Sequence, residues 1–189
     1  MLKIITGSVK GRALRSLEGE ATRPTSERIK EAIFSSIQFD IEGRRVLDLF
    51  AGSGQMGLEA LSRGAASCMF IDSSRDAMDI VRANISACGF ESNTKYLVSD
   101  ARNYVRKASG KAVYDLVFID PPYAMQCAGE ILRRLCEGGV LANGAIAVLE
   151  CGEEAPDLSG IAGLTLDKEK HYGKKTSVYV YTYVKEASV

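Results

Sequence analysis

The sequence predicts one α/β domain, residues 1–189, built on a mostly parallel sheet of seven strands. Between residues 45 and 149, short apolar runs alternate with segments of helical periodicity, which is typical of successive β-α-β units. Beyond residue 160 apolar and polar residues alternate instead, which indicates a C-terminal antiparallel hairpin. The length suits one domain with a full core, because domains usually contain roughly 100–150 residues.

Residues 1–40 are expected to extend the core, residues 41–189, as a small hairpin followed by a helix. Two short segments, 2–6 and 12–15, flank a basic loop bounded by glycines and indicate the hairpin, which we expect to be an appendage. Thr25 offers an N-cap for the helix, whose apolar residues recur at helical spacing and stop before residue 40.

Within the core, the apolar runs predict buried parallel strands at residues 46–50, 67–71, 95–98, 115–119 and 145–149, and hairpin strands at 165–170 and 177–184. The predicted crossover helices cover residues 55–63, 75–87, 101–107 and 125–137. Right-handed crossovers place the carboxyl ends of parallel strands at one edge of the sheet. We therefore expect four carboxylates, Asp48, Asp72, Asp100 and Asp120, to line the ligand-binding edge.

Composition excludes disordered, fibrous and membrane-spanning proteins. The 46% hydrophobic and 25% charged residues are ordinary for a globular domain, and no apolar stretch approaches the ~18 residues that span a bilayer. We expect a cytoplasmic protein without a membrane segment. The five cysteines are scattered without C-x-x-C spacing and the chain has one histidine, so we predict buried thiols and no metal site.

Positive charge is concentrated at the N-terminal end of a chain whose net charge is zero. Residues 1–30 carry seven basic and three acidic side chains, which leaves 17 basic and 21 acidic side chains in the remainder. An anionic partner should therefore meet this segment, although a solvated charged surface gives the same pattern. The candidate contacts are Lys10, Arg12, Arg15, Arg23 and Arg28.

A glycine-rich turn follows the first core strand. Its three glycines, Gly52, Gly54 and Gly57, satisfy the dinucleotide pattern G-x-G-x-x-G, so a nicotinamide enzyme is one reading. Asp48 suits the cationic amino-acid end of S-adenosylmethionine better than a pyrophosphate, and Asp72 lies where a ribose-binding acid belongs. The candidate cofactor-binding residues are Asp48, Phe50, Ala51, Gly52, Ser53, Gly54, Asp72, Ser73, Asp100 and Ala101.

The tetrapeptide Asp120-Pro121-Pro122-Tyr123 follows an apolar strand and lies 66 residues beyond Gly54. An acid can accept hydrogen bonds from an exocyclic amine, the proline carbonyls are expected to point at a ligand, and a tyrosine can stack on a flat heterocycle. Asp-Pro-Pro is also good turn chemistry, so a plain turn is the alternative. We take these four residues as candidate catalytic residues.

These motifs carry a resemblance to a known family. They are Asp48-Leu49-Phe50-Ala51-Gly52-Ser53-Gly54, the following Gly57-Leu58-Glu59-Ala60-Leu61-Ser62-Arg63-Gly64-Ala65, the tetrapeptide, Arg23-Pro24-Thr25 and Tyr172-Gly173-Lys174. Through these motifs the chain resembles the RsmD family of bacterial 16S rRNA guanine-N2 methyltransferases. The resemblance extends over nearly the whole chain. The resemblance implies a class I Rossmann-like fold, S-adenosylmethionine as cofactor, no metal, and 16S rRNA as partner, naked or in an assembling or assembled small subunit.

Two other functions remain open from the sequence. Adenine-N6 methyltransferases use the same tetrapeptide, although sequence-specific DNA enzymes usually need an added recognition domain that this chain does not have room for. A nucleotide-binding module without catalysis is a candidate of another class, and the intact tetrapeptide argues against it.

Overall fold

The computed structural model describes residues 2–17, 24–122, 125–152, 156–173 and 176–185, without the side chains of residues 24–26. Two candidate site residues, Arg23 and Tyr123, lie outside the described residues. Lys174 of the late Tyr-Gly-Lys motif lies outside them as well.

The described residues form five α-helices, one 3-10 turn and seven strands. In chain order they are α1 (Pro24–Ser36), β1 (Arg45–Asp48), α2 (Gln55–Ser62), β2 (Ser67–Asp72), α3 (Arg75–Cys88), the 3-10 turn (Glu91–Asn93), β3 (Thr94–Val98), α4 (Ala101–Ala108), β4 (Tyr114–Ile119), α5 (Ala128–Glu137), β5 (Leu141–Cys151), β6 (Leu164–Tyr172) and β7 (Thr176–Tyr183). The strand order is β3-β2-β1-β4-β5-β7-β6. This confirms the predicted α/β class and the seven-stranded sheet.

The chain divides into two compact units, Met1–Asp100 and Ala101–Val189. In the first unit, β1 pairs in parallel with β2 and β2 with β3, so three successive strands end on the same side. Helices α2 and α3 supply the crossovers between these strands. The predicted division into residues 1–40 and 41–189 stays a prediction.

One strand of the first unit differs from its prediction. β3 was expected to be buried, but four of its five residues are exposed, among them Tyr96, Leu97 and Val98. The reason is its position, since β3 is the last strand on its side of the sheet and has one neighbouring strand.

In the second unit, β4 pairs in parallel with β5, while β7 pairs antiparallel with both β5 and β6, which confirms the C-terminal hairpin. β5 begins earlier than predicted, at Leu141, and its pairing with β4 has an irregularity in register between Tyr114 and Leu116. α5 begins later than predicted, at Ala128. Gln126 has a φ of 41°, a left-handed conformation that a helix cannot contain.

The predicted N-terminal hairpin is present but is not an appendage. An antiparallel bridge joins Lys3 and Ala13, and the Leu14 N–H donates to the Leu2 carbonyl over 2.8 Å. Three apolar side chains of this segment are buried, those of Leu2, Ile4 and Leu14. Burial of apolar side chains is a main source of stability, so the hairpin is part of the packed first unit.

Glu59 of α2 anchors this hairpin. Its side chain is fully buried and its two oxygens accept hydrogen bonds from the backbone N–H groups of Ile5 (2.7 Å) and Thr6 (3.0 Å). The Arg63 guanidinium donates to the same carboxylate over 2.8 Å and also lies over the Phe34 ring, 4.8 Å from its centroid. A buried charge needs such partners, because an unpaired one costs several kcal/mol.

Helix α1 packs with the apolar face that the sequence predicted, since Ile29 and Ile33 are buried, as is Ile37 directly after the helix. It begins at Pro24, so Thr25 lies in its first turn rather than before it as an N-cap. Lys30 is buried on this helix, 3% exposed, and donates to the Lys3 carbonyl over 2.9 Å.

Candidate functional site

Asp48, the last residue of β1, lies beneath the glycine-rich turn rather than at its surface. The side chain is 3% exposed, and its Oδ2 accepts a hydrogen bond from the Gly57 N–H over 3.1 Å. Burial raises the pKa of this carboxyl to about 7, although backbone hydrogen bonds from Gly57 and Phe50 oppose the shift. A cation placed beside this carboxyl would favour its ionised form.

The turn itself, residues 51–54, requires its glycines. Gly52 and Gly54 have φ values of 51° and 79°, in the left-handed region that favours glycine. The Gly54 N–H donates to the Ala51 carbonyl over 2.6 Å, and α2 starts immediately afterwards. A turn of this kind exposes backbone to a ligand at the start of a helix.

Gly57 is required for packing rather than for a turn. A Cβ at this position would lie 2.3 Å from the Phe70 Cε1 and 2.6 Å from the Cys68 Sγ, both on β2. Glycine therefore lets α2 pack closely against β2, and this packing holds the preceding turn close to the sheet.

Asp72, the last residue of β2, holds the turn from the other side. Its Oδ2 accepts a hydrogen bond from the Gly52 N–H over 2.9 Å, and its Oδ1 accepts one from the Ser74 N–H over 2.8 Å. The side chain is half-buried, and each carboxylate oxygen has a second lone pair for a ligand hydroxyl. Ser73, the neighbouring candidate, is exposed.

Asp100 is the last of the three candidate acids in the first unit. It is half-buried two residues beyond β3, and the neighbouring Ser99 N–H donates to the Asp72 carbonyl over 2.8 Å. Asp48 and Asp72 thus end two parallel strands and Asp100 follows the third, adjacent one, as predicted. Ala101 is the first residue of α4 and is buried in the second unit.

In the second unit, Asp120 directly follows β4 and is exposed, Pro121 is buried, and Pro122 is exposed. The Pro122 carbonyl accepts a hydrogen bond from the Met125 N–H over 2.8 Å, so it is engaged within the turn. One lone pair of the Pro122 carbonyl is thus used within the turn, and the prediction that the proline carbonyls point at a ligand stays a prediction.

The five cysteines are all buried, as expected. Burial raises the pKa of the Cys151 thiol to about 11, and the negative charge of Asp120 adds to the shift. A protonated, buried thiol is a poor nucleophile, so this cysteine does not supply the chemistry of the site.

Four of the five basic candidates can be located. Lys10, Arg12 and Arg15 are exposed on the hairpin, and Arg28 is exposed on α1. Lys30, which contributes to the charge excess of residues 1–30, is buried and bonded to backbone, so it does not serve an external partner.

The sequence reasoning missed two buried polar residues next to the site, Glu59 and Asn84. Asn84 of α3 is 1% exposed, and its amide hydrogen-bonds the backbones of Arg15 and Ser53. Both residues interrupt apolar helix faces, Glu59 between Leu58 and Ala60 and Asn84 before Ile85. A polar residue on a buried face needs a partner, and that signal was available in the sequence.

Within the described residues no cluster of histidine, cysteine or acidic side chains could hold a metal ion. In the same part of the chain, no helix combines the length and apolar character needed to cross a membrane.

The comparisons with a family model and with individual proteins point to the same family. The family model described as conserved hypothetical protein 95 matches residues 2–182. The ribosomal RNA small subunit methyltransferase D of Haemophilus influenzae is 31% identical over 173 residues, which cover 91% of this chain and 89% of that protein. Its namesake in Escherichia coli strain K12 is 31% identical over 92% of this chain and 86% of that protein.

Among solved structures, the Escherichia coli protein yhhF, to which methyltransferase activity is ascribed, is similar with a TM-score of 0.86 at 30% identity. The match covers 98% of this chain and 99% of that one. The agreement over nearly the whole length confirms the predicted Rossmann-like fold.

Proposed function

We propose that this chain, which belongs to the conserved hypothetical protein 95 or RsmD family, transfers a methyl group from S-adenosylmethionine to the exocyclic N2 of a guanine in 16S rRNA. The two relatives named as ribosomal RNA small subunit methyltransferase D support rRNA as the substrate class. The guanine N2 position extends beyond those names and rests on the tetrapeptide and on the resemblance.

The observation that carries the proposal is the glycine turn with carboxylates on two sides. Asp48 lies below the turn and Asp72 holds it through the Gly52 N–H. Negative charge beneath the turn suits a cationic amino-acid group, and Asp72 has lone pairs for two ribose hydroxyls. The residues present therefore fit S-adenosylmethionine, which would supply an electrophilic methyl group on a sulfonium.

This donor set argues against the nicotinamide reading. A dinucleotide places its doubly charged pyrophosphate at the glycine turn, where a carboxylate beneath the backbone repels it. A pyrophosphate beside Asp48 would disfavour its ionised form further, whereas a cationic group would favour it.

Asp120 is proposed to position the acceptor base. The lone pair of a guanine N2 is delocalised into the ring, and hydrogen bonds from its N–H groups to Asp120 and to the Pro121 carbonyl favour a pyramidal, nucleophilic nitrogen. Positioning of this kind is the main contribution that an enzyme makes to an in-line displacement. Asp120 is also the candidate acceptor of the proton that leaves the nitrogen late in the reaction.

The experiment that tests the proposal is methyl transfer to unmodified small-subunit RNA. Purified protein is incubated with S-adenosylmethionine carrying a labelled methyl group and with naked 16S rRNA, assembling particles or complete subunits, and the RNA is then digested to nucleosides. We expect label in N2-methylguanosine. Label in N6-methyladenosine would replace the guanine assignment, and binding without any transfer would point to the non-catalytic module.

A further inference from the structure

Asn84 joins two segments of the first unit that the proposed reaction uses for different purposes. Its Nδ2 donates to the Ser53 carbonyl over 2.8 Å and to the Arg15 carbonyl over 3.0 Å. Its Oδ1 accepts from the Arg15 N–H over 2.8 Å. One side chain therefore satisfies backbone groups of the glycine turn and of the N-terminal hairpin at the same time.

The Arg15 backbone and side chain face different environments. Its N–H and carbonyl are both bonded to Asn84, whereas the residue as a whole is exposed and belongs to the basic segment proposed to contact RNA phosphates. Ser53, in contrast, is buried within the turn proposed to hold the cofactor. The Asn84 amide thus bonds both to a residue proposed to contact RNA and to the turn proposed to hold the cofactor.

The other end of the hairpin is tied to α2, the helix that starts at the same turn. The Ser62 Oγ donates to the Thr6 carbonyl over 2.6 Å, and the Ser8 N–H donates to the Ser62 carbonyl over 2.7 Å. At Gly7 a Cβ would lie 1.8 Å from the Ser62 carbonyl oxygen, so the backbone approaches α2 as closely as glycine allows. The hairpin is therefore linked to the turn that precedes α2 through Asn84, and to the last residue of α2 through Ser62.

We propose that Asn84 is a positioning residue that couples the RNA-contacting hairpin to the cofactor-binding turn, so that RNA and cofactor strengthen each other's binding. This inference rests on the proposed function for the identity of the two ligands. Its physical basis is that Asn84 is 1% exposed, and a buried amide without partners is costly. The Asn84 rotamer that donates to the Ser53 carbonyl is the same one that bonds to the Arg15 backbone. Holding either segment in position therefore favours the rotamer that binds the other.

Such coupling is reciprocal by thermodynamic necessity, and typical values correspond to roughly 5–150-fold in affinity. For a link of three neutral hydrogen bonds we expect a factor of about 10. The affinity for S-adenosylhomocysteine, a stable probe of the cofactor site, should rise by this factor with saturating RNA. The RNA affinity should rise by the same factor with saturating S-adenosylhomocysteine.

The test compares the wild type with Asn84→Ala and with a matched control, Asn93→Ala. Asn93 also donates its Nδ2 to a backbone carbonyl, that of Ala66 at 3.0 Å, but it is exposed and contacts neither segment. Calorimetry with S-adenosylhomocysteine, with and without a 16S rRNA fragment, gives the coupling factor for each protein. We expect about 10 in the wild type and in Asn93→Ala, and about 1 in Asn84→Ala. A wild-type factor of 1, or an unchanged factor in Asn84→Ala, overturns the coupling.

Hydrogen exchange separates failure of this inference from failure of the proposed function. In the protein without ligands, Asn84→Ala should reduce protection of the Arg15 and Gly54 amides together, while Asn93→Ala leaves both unchanged. Loss of protection at one of these amides alone would show that the segments are independent and would overturn the inference. If the wild type bound neither S-adenosylhomocysteine nor RNA, the proposed function would fail, and the exchange result would still decide whether Asn84 links the two segments.

Discussion

At the scale of single residues, three carboxylates of the candidate site lie in different environments. Asp48 is buried, Asp72 is half-buried with both oxygens bonded to backbone N–H groups, and Asp120 is exposed after β4. Because burial disfavours the charged form, the pKa of Asp48 is raised to about 7. Asp72 therefore holds the turn, while the burial of Asp48 and the exposure of Asp120 agree with the roles proposed for them.

Asp48 should make the stability of the protein depend on pH. Its pKa rises on folding from 3.8 to about 7, so the folded state holds the proton more tightly than the unfolded state. The stabilisation is complete below pH 3.8 and is lost as the pH rises through 7, by at most about 1.4 kcal/mol per pH unit. Urea unfolding from pH 5 to pH 8 should show this decline in the wild type and a flatter profile in Asp48→Asn. Parallel profiles would assign the pH dependence to other groups.

Asp72→Asn should weaken S-adenosylmethionine binding. A charge-assisted hydrogen bond is worth roughly 1.5–3 kcal/mol, so losing one to a ribose hydroxyl should lower the affinity about 10–150-fold. Asparagine keeps an oxygen for the Gly52 N–H, so the turn is disturbed less than in Asp72→Ala. Calorimetry measures the effect, with the exposed Asp79→Asn on α3 as the control. Tight NAD binding with no S-adenosylmethionine binding would overturn the cofactor assignment.

Asp120→Ala should reduce the rate of methyl transfer far more than it reduces cofactor binding. Removal of one preorganised polar contact in an active site costs roughly 10²–10³ in rate, and Asp120 is proposed to touch only the acceptor base. Single-turnover methylation measures the rate, and calorimetry measures cofactor affinity in the same variant. Wild-type turnover in a folded Asp120→Ala protein would exclude the proposed role.

At the scale of elements, the N-terminal hairpin combines a buried side with an exposed basic side. Glu59 and Ser62 of α2 hold its backbone, while Lys10, Arg12 and Arg15 are exposed. A firmly held backbone limits the conformational freedom of the basic residues, which lowers the entropy lost when they bind an anion. The structure of the hairpin therefore suits a fixed phosphate-binding surface better than a mobile arm.

Replacing Lys10, Arg12 and Arg15 together by glutamine should weaken RNA binding across sequences. Each phosphate contact on single-stranded RNA contributes roughly 0.7 to the dependence of log affinity on log salt, so three lost contacts lower that slope by about 2. Filter binding at several salt concentrations measures the slope. The matched control replaces three exposed basic residues outside the hairpin, Arg75, Arg82 and Lys95. An unchanged slope in the hairpin variant would place the RNA elsewhere, and the region of Lys174 and Lys175 would be tested next.

At the scale of the whole molecule, charge and thiols are distributed unevenly between surface and interior. The net charge of zero is divided into +4 for residues 1–30 and −4 for the rest, so an anionic ligand would be oriented toward the N-terminal end. All five cysteines are buried, and burial raises the pKa of Cys136 to about 12. The thiols thus lie in the interior, while the positive charge is concentrated at the N-terminal end of the sequence.

The thiols should be nearly unreactive in the native protein. A thiol-specific disulfide reagent at pH 8 reacts with thiolates. All five thiols are buried, and burial raises the pKa of Cys68, Cys88, Cys136 and Cys151, so these four stay protonated. We expect slow reaction in buffer and rapid reaction of all five thiols in guanidinium chloride. Rapid labelling of any cysteine in buffer would show that its packing opens frequently.

The sequence by itself determined the α/β class, the order of strands and helices, and the three acids that end successive strands. These features follow from local periodicity and from the fixed handedness of β-α-β connections, so they can be read from neighbouring residues. The glycines of the turn were predictable for the same reason, since left-handed backbone favours glycine wherever it occurs.

Only the tertiary structure decided what each polar residue contacts. Glu59 lies more than 50 residues from the hairpin amides that it binds, and Asn84 lies 69 residues from Arg15. Tertiary structure also left β3 exposed, buried Asp48 beneath the turn and bonded the Pro122 carbonyl within its own turn. The physical reason is that burial and hydrogen bonding of a side chain depend on segments distant in sequence, and the periodicity of its own segment carries no information about them.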